Sequence, residues 1–332
     1  MSRAYYRPIV QCDVARPRQA ITLAQGWGWF THVEVLHRGA PPKIAEIDQI
    51  PPEALPPLRG RPAQFGERPH IMGILNATPD SFSDGGLHAA AQDAVSAGLA
   101  MAAAGADILD VGGESTRPGA ETVAIDTEIR RIVPVVSGLR ARGYDGVISL
   151  DTRKAEVARA GIAAGADLIN DVSGFTYDPA LAGVAAQAAL PVCVMHGPLD
   201  PAIMQNDPRY DDVILDVYDF LEDRIAALEA QGIAREKIIA DPGIGFGKTQ
   251  EHNLQLLARL SLFHSLGVPI LLGASRKRFI GTIGGAEGAA DRAPGSIAVG
   301  LAGLAQGVQI LRVHDVAETA QAIALWRACV AQ

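Results

Sequence analysis

From residue 70 onward the chain repeats one pattern of apolar and polar positions. A short apolar run is followed by a polar loop and then by an Ala-rich stretch with helical spacing. The runs are Ile71–Leu75, Ile108–Val111, Val147–Leu150, Leu168–Val172, Val192–Met195, Lys237–Ala240, Pro269–Leu272 and Gln309–Val313. Runs apolar on both faces are the mark of buried parallel strands. The helical spacing predicts helices over Ala89–Ala104, Glu121–Arg142, Lys154–Ala164, Pro179–Ala189, Tyr210–Ala230, Glu251–Leu266, Ser296–Gln306 and Val316–Val330. Gly105-Ala106-Asp107 and Gly165-Ala166-Asp167 read as helix-ending glycines that lead into the next strand. Eight such units over about 260 residues point to an α/β fold, a (β/α)8 barrel of the TIM type. The alternative, an open doubly wound sheet, calls for a Gly-rich first turn and a switch in strand order.

Residues 1–66 break this rhythm and are read as an N-terminal extension, with the barrel over 67–332. Pro41-Pro42, Pro51-Pro52 and Pro56-Pro57 exclude a long helix there. Trp27-Gly28-Trp29-Phe30 and His32–Leu36 read as a short strand pair, and the Pro-rich part after them as a strap.

Composition narrows the function. Lys and Arg total 29 against 37 Asp and Glu, a net charge of −8, and no basic run is present. Nucleic acid is therefore not expected as a partner, whereas a small anion needs only a local cluster. Three scattered cysteines (Cys12, Cys193, Cys329) suit neither a disulfide framework nor a zinc site, and a reducing cytoplasm is expected. The N-terminus lacks a secretory h-region and no apolar run is long enough to span a membrane.

In a barrel of this kind ligands bind at the C-terminal ends of the strands. There the sequence places Asn76 and Phe82 after the first run, Thr116-Arg117-Pro118 after the second, and Asp151 after the third. Asn170 follows in the fourth, Met195-His196 in the fifth, Asp241 and Phe246 at the sixth, Ser275-Arg276-Lys277 at the seventh and Arg312-Val313-His314 at the eighth. Asp, Ser and Thr at such points are often helix caps, but polar groups recur around the whole rim. Arg117, Lys277, Arg312 and His314, with Asn76 and a divalent cation, suit a phosphate or diphosphate. Asp151, Asn170 and Asp241 suit a planar heterocycle with donors and acceptors, and Met195 and Phe246 supply apolar faces for it. Pro242–Thr249 ends in Gly-Lys-Thr like a phosphate loop, but Pro242 stands where that pattern requires glycine. The histidines show no metal-ligand spacing, and no Gly-x-Ser-x-Gly elbow precedes a helix.

Seven ordered blocks carry a family resemblance over roughly residues 70–325. They are 72–86 (Met-Gly-Ile-Leu-Asn-Ala-Thr-Pro-Asp-Ser-Phe-Ser-Asp-Gly-Gly), 110–119 (Asp-Val-Gly-Gly-Glu-Ser-Thr-Arg-Pro-Gly), Asp151-Thr152, 169–174, Asp241–Lys248, Ser275-Arg276-Lys277 and Arg312-Val313-His314-Asp315. With these the chain resembles the dihydropteroate synthases of folate synthesis. The resemblance implies a (β/α)8 fold, a homodimer, Mg2+, and condensation of 6-hydroxymethyl-7,8-dihydropterin pyrophosphate with 4-aminobenzoate. It implies pterin contacts at Asp151, Asn170, Asp241 and Lys277, with Met195 and Phe246 lining that pocket. Asn76, Arg312 and His314 fall on the pyrophosphate and magnesium side, Asn76 as metal ligand. Thr116, Arg117, Pro118 and Phe82 fall in the aminobenzoate pocket, which sulfonamides occupy in the family. Asp151, Lys277, Arg312 and His314 are the expected catalytic groups. Ala77 and Arg278 depart from the commoner Val and Ser. A corrinoid-linked methyltransferase barrel would share the Asp/Asn logic but not the Arg-x-His pair, and a non-catalytic paralogue is expected to have lost Asn76, Arg117, Lys277 or Arg312. The resemblance also implies an SN1-like displacement, in which Asp151 stabilises a methylene cation. The glycine pairs Gly85-Gly86 and Gly112-Gly113 are expected to lend their loops the freedom of lids.

Overall fold

A computed structural model of the chain describes residues 3–60, 65, 67–77, 86–115, 122–197 and 208–330, with no side-chain account of 86–88. Eight parallel strands appear where the apolar runs predicted them: β6 (His70–Asn76), β7 (Ile108–Gly112), β8 (Val147–Asp151), β9 (Leu168–Asp171), β10 (Val192–Met195), β11 (Ile238–Asp241), β12 (Leu271–Leu272) and β13 (Ile310–Val313). They neighbour one another in the order β11-β10-β9-β8-β7-β6-β13-β12. A parallel bridge between Ala240 and Ile270 joins the two ends, and Ala240 N donates to Pro269 O at 2.9 Å. The sheet is thus a closed barrel, and helices cover its outside.

Side chains alternate inward and outward along a strand, and that period builds the interior in layers. Met72, Ile108, Leu168, Cys193, Ile239, Leu271 and Ile310 form one apolar cluster, closed below by Phe65. Two residues further along six of these strands stand Ile74, Asp110, Asn170, Met195, Asp241 and Arg312, while β8 brings Ser149 and Asp151. The floor of the barrel is dry and its mouth is polar.

The helices follow their expected ranges with trimmed ends. They include α2 (Gly86–Ala103), α3 (Ile125–Ala141), α4 (Ala155–Ala164), α5 (Leu181–Gln187), α6 (Val213–Ala230), α9 (Ala293–Ala305) and α10 (Val316–Val330). The helix expected over Glu251–Leu266 is two pieces, α7 (Gln250–Ala258) and a 3-10 helix (Leu260–Leu266), broken at Arg259 with φ −131. Nearly every residue of the second piece is buried, because the extension covers its outer side: Ser261 Oγ donates to Pro8 O at 2.8 Å. A short helix not foreseen, α8 (Arg278–Gly284), follows Lys277.

The extension corrects the expected strand pair. β3 (Trp29–Phe30) pairs with β2 (Ile21–Thr22), whereas β4 (His32–His37) lies between β1 (Tyr5–Pro8) and β5 (Ala40–Glu46). Pro41-Pro42 belong to a strand rather than a strap. β5 is an edge, where proline removes no ladder bond that a neighbour needs. After β5 comes a short helix, α1 (Leu55–Arg59). Ile21, Leu23, Phe30, Val33, Ile50 and Leu58 form a small separate core. The outer contacts run to α6, α9, α10 and the 3-10 helix. Tyr5 and Tyr218 meet edge to face at 5.4 Å, and Trp27 Nε1 donates to Leu304 O at 2.8 Å.

Candidate active site

The centre of the barrel mouth is a buried acid–amide–guanidinium set. Arg312 Nε donates to Asp110 Oδ2 at 2.6 Å and Arg312 Nη2 to Asp151 Oδ2 at 2.7 Å. Asn170 Nδ2 donates to Asp110 Oδ2 at 3.1 Å and Ser149 Oγ to Asp110 Oδ1 at 2.5 Å. These bonds link β13 to β7 and β8 and link β9 to β7, skipping strands between, so they run through the interior. Asp110 was not foreseen as a site residue. It sits inside the apolar run Ile108–Val111, and only the two-residue alternation from Ile108 through Asp110 to Gly112 signals that it points inward.

Arg312 was expected to face the leaving diphosphate. It also neutralises two buried acids, a cost of placing Asp110 and Asp151 in a dry interior. Burial pushes the Asp151 carboxyl up to about 7 against the pull of Arg312, and Asp110 adds to the rise. Asp151 Oδ1 is buried and has no hydrogen-bond partner among the described residues. Next to it Gly112 has no side chain, and a Cβ there would lie 3.7 Å from Asp151 Oδ2. A Cβ on Gly273 would likewise lie 3.4 Å from Asp241 Oδ2. Glycine at these two positions keeps room beside both acids.

Asp241 ends β11 and is paired in register with Met195 on β10. Burial raises its carboxyl, while the Gly243 N–H, donating to Oδ1 at 2.7 Å, and the charges of Lys277 and Arg312 act the other way. Lys277 Nζ lies 4.0 Å from the centre of the Phe246 ring, a cation–π contact. Asp241, Phe246, Lys277 and Met195 therefore form one flank of the mouth, with Asp151 and Asn170 on another. Ser275 Oγ and His314 Nδ1 share a 3.0 Å hydrogen bond. Arg276 pairs with Asp315 through two bonds, one of them 3.0 Å. Asn76, at the end of β6, is in register with Gly112. Phe82, Thr116, Arg117, Pro118 and Gly85 lie outside the described residues.

The second loop begins differently from expectation. Gly112 continues β7, and a Cβ on Gly113 would come within 2.8 Å of Ile132 and 3.2 Å of Glu128 O. Gly113 therefore serves close packing against α3 rather than a hinge. Glu114 beyond it is buried, paired with Arg153 at 2.7 Å and with Lys154. Lys154 also reaches Glu128 at 2.6 Å and Val123 O at 2.6 Å. This cluster, also missed in the sequence, ties both roots of the loop to α3 and to the start of α4.

Polar donors and acceptors gathered at the strand ends of a closed barrel stand where barrel enzymes bind their ligands. The family described as pterin binding enzyme matches residues 72–314. The dihydropteroate synthase of Escherichia coli strain K12 is 48% identical over 255 residues, which cover 77% of this chain and 89% of the relative. A solved Xanthomonas albilineans dihydropteroate synthase with 4-aminobenzoic acid is 47% identical with a TM-score of 0.75, covering 80% of this chain and 94% of its own. Another from that organism, in complex with 7,8-dihydropteroate, is 45% identical with a TM-score of 0.73, covering 80% and 95%. The chain belongs to the dihydropteroate synthase family of pterin binding enzymes, and it is a transferase of folate synthesis.

Proposed function

We propose that Asp151, Asn170, Asp241 and Lys277 grip the pterin of 6-hydroxymethyl-7,8-dihydropterin pyrophosphate while 4-aminobenzoate is added to it. The product is 7,8-dihydropteroate and the leaving group is pyrophosphate. The observation that carries this reading is Asp151 Oδ1 at the strand ends, buried and with no hydrogen-bond partner among the described residues. An unsatisfied buried acceptor favours a ligand with an N–H to give, and a pterin presents ring and amino N–H groups next to a carbonyl. Asn170 supplies an amide, and Met195 and Phe246 the apolar walls.

In the step we favour, the bond between the pterin methylene carbon and the diphosphate oxygen breaks first, and its electron pair leaves with the diphosphate. Arg312, His314 and Lys277 lower the cost of that charge. The methylene cation sits near the Asp151 carboxylate. At ~4 Å and an effective dielectric near 20 the attraction is about 4 kcal/mol, or roughly 10³ in rate. The aminobenzoate nitrogen, neutral at pH 7, then bonds to the methylene and loses a proton. Thr116, Arg117, Pro118 and Phe82 take aminobenzoate in this proposal, which makes the pocket a sulfonamide target.

Mg2+ fits the donor chemistry at the rim. It prefers oxygen ligands, keeps several waters, and takes substrate phosphate oxygens with one or two protein ligands. Asn76, at the end of β6, would supply a single amide oxygen to such a substrate-borne ion. Bound there, it would spread the charge of the diphosphate.

We further place the protein in the cytoplasm, in keeping with three unpaired cysteines, and as a homodimer, as the family resemblance implies. No described helix is long and apolar enough to cross a membrane. Incubation with the pterin pyrophosphate, labelled 4-aminobenzoate and Mg2+ tests the reading. Labelled pteroate, suppressed by a sulfonamide, is expected; its absence would overturn the assignment.

A further inference from the structure

We propose that Lys248 is a positioning residue that holds the wall of the pterin pocket from behind, and is not a phosphate ligand. The inference rests on the pterin assignment above. The segment Pro242–Thr249 ends in the Gly-Lys-Thr of a phosphate loop, yet its geometry is the reverse of one. In a phosphate loop the backbone N–H groups and the lysine converge on an anion. Here Gly243, Gly245 and Gly247 all have positive φ (69, 82 and 58), and the segment turns carbonyls toward its own lysine. Lys248 Nζ donates to Gly243 O at 2.9 Å and Phe246 O at 3.0 Å, and bonds His196 Nδ1 at 2.8 Å. A fourth contact, to His196 O, is 3.4 Å. An ammonium has three N–H donors, and three close partners engage them all. None is a carboxylate, and the side chain is almost wholly buried.

Each carbonyl it holds belongs to a residue with work at the pocket. Gly243 donates its N–H to Asp241 Oδ1, and its Cβ position lies only 1.9 Å from His196 O, so no other residue fits there. Phe246 carries the ring over which Lys277 Nζ sits. His196 follows Met195, which lines the same flank. One buried ammonium thus locks the loops after β10 and β11 together and sets Asp241, Phe246 and Met195 relative to one another. Gly245 N donating to Asn253 Oδ1 at 2.7 Å and Tyr210 donating to Gly247 O at 2.8 Å hold the same segment from outside. Burial lowers the Lys248 ammonium to about 7 and keeps His196 neutral, in accord with a group placed for its donors rather than for charge.

Calorimetry on the full chain separates the two roles with two probes, 6-hydroxymethylpterin, which has no diphosphate, and inorganic pyrophosphate with Mg2+. In Lys248→Met the pterin affinity is expected to fall tenfold or more while pyrophosphate affinity stays within threefold. In steady state the KM for the pterin pyrophosphate rises and that for aminobenzoate stays within threefold. Pterin affinity within twofold of wild type, a loss confined to pyrophosphate, or an equal fall for both probes would overturn the proposal. Lys248→Gln, which keeps two of the three N–H donors on a shorter side chain, carries the test if the methionine variant is not recovered folded. A threefold pterin loss with pyrophosphate unmoved supports the proposal, and no loss overturns it. Wild-type protein that fails to bind 6-hydroxymethylpterin would instead remove the pterin assignment itself.

Discussion

Two buried ion clusters in this molecule have opposite stoichiometry. In the barrel mouth one guanidinium, Arg312, serves two carboxylates, Asp110 and Asp151. At the seam between the extension and the barrel one carboxylate, Glu34 on β4, is held by two guanidiniums, Arg7 at 2.5 Å and Arg259 at 3.2 Å. Burial opposes ionisation of Glu34, but the bonds from Arg259 and Arg7 outweigh it and hold its carboxyl below the ordinary range. Asp151 moves the other way, because one arginine shared with Asp110 does not offset its desolvation. In the seam cluster both oxygens of Glu34 accept hydrogen bonds, Oε2 from Arg7 and both from Arg259. The mouth cluster keeps an acceptor, Asp151 Oδ1, without a partner among the described residues. A saturated buried cluster stabilises; an under-partnered one at a strand end is equipped for binding and chemistry.

The sharpest break of this contrast is Asp151→Asn. The variant is expected to lower kcat by about 10²–10³ through loss of the fixed anion, with modest change in pterin affinity. A kcat within threefold of wild type would remove Asp151 from that role. The wild-type kcat/KM is also expected to fall as pH drops through about 7, because protonation there erases the carboxylate charge. That acid limb should vanish in Asp151→Asn. A wild-type limb at the ordinary carboxylate range would mean that Arg312 outweighs burial.

Next in size is Lys277→Ala. A hydrogen bond from a charged donor to the pterin is worth about 1.5–3 kcal/mol, so calorimetric pterin affinity should weaken about tenfold or more. An unchanged affinity would take Lys277 out of the pocket.

The barrel was legible in the sequence because a parallel strand buried on both faces is mostly apolar, and eight short, predominantly apolar runs recur with helical stretches between them. The rim was legible because loop residues after strands carry polar groups that no helix face accounts for. Asp110 and Lys248 were not legible for a shared reason. Each is consumed inside the fold, Asp110 by Arg312, Asn170 and Ser149, and Lys248 by carbonyls and His196. A linear motif shows a charge but not its partner. The break at Arg259 and the strands of the extension were obscured by each other. Leu260–Leu266 is apolar on its outer side because β1 lies on it, and no pattern within the barrel segment names a cover that comes from over 250 residues away.

At the seam, Glu34→Gln leaves Arg7 and Arg259 short of charge in a half-buried site. The expected cost is about 2 kcal/mol of stability, read as a Tm lower by several degrees, with kcat and both KM values within twofold of wild type. The pH dependence has a definite sign. Because the folded carboxyl lies below its unfolded value, the stabilisation is present above about 4.3 and is lost as pH falls through the folded value. Glu34→Gln should therefore differ most from wild type near neutral pH and converge with it in acid. A Glu34→Gln protein with altered pterin binding would show that the seam and the mouth are coupled, and the contrast between them would fail.

The smallest effect belongs to the outer ring of the same seam. Arg38 bridges Asp216 and Asp219 at 2.6 Å each, but its side chain is 40% exposed. Exposed ion pairs contribute about 0.2–1 kcal/mol, and salt screens them. Arg38→Ala should accordingly shift Tm by no more than a degree or two at low salt, and the shift should shrink as ionic strength rises. Glu34→Gln, whose partners are shielded, should keep its deficit in the same titration. If both deficits faded together with salt, the seam would be held by surface charge alone, and the buried position of Glu34 would carry no energetic meaning.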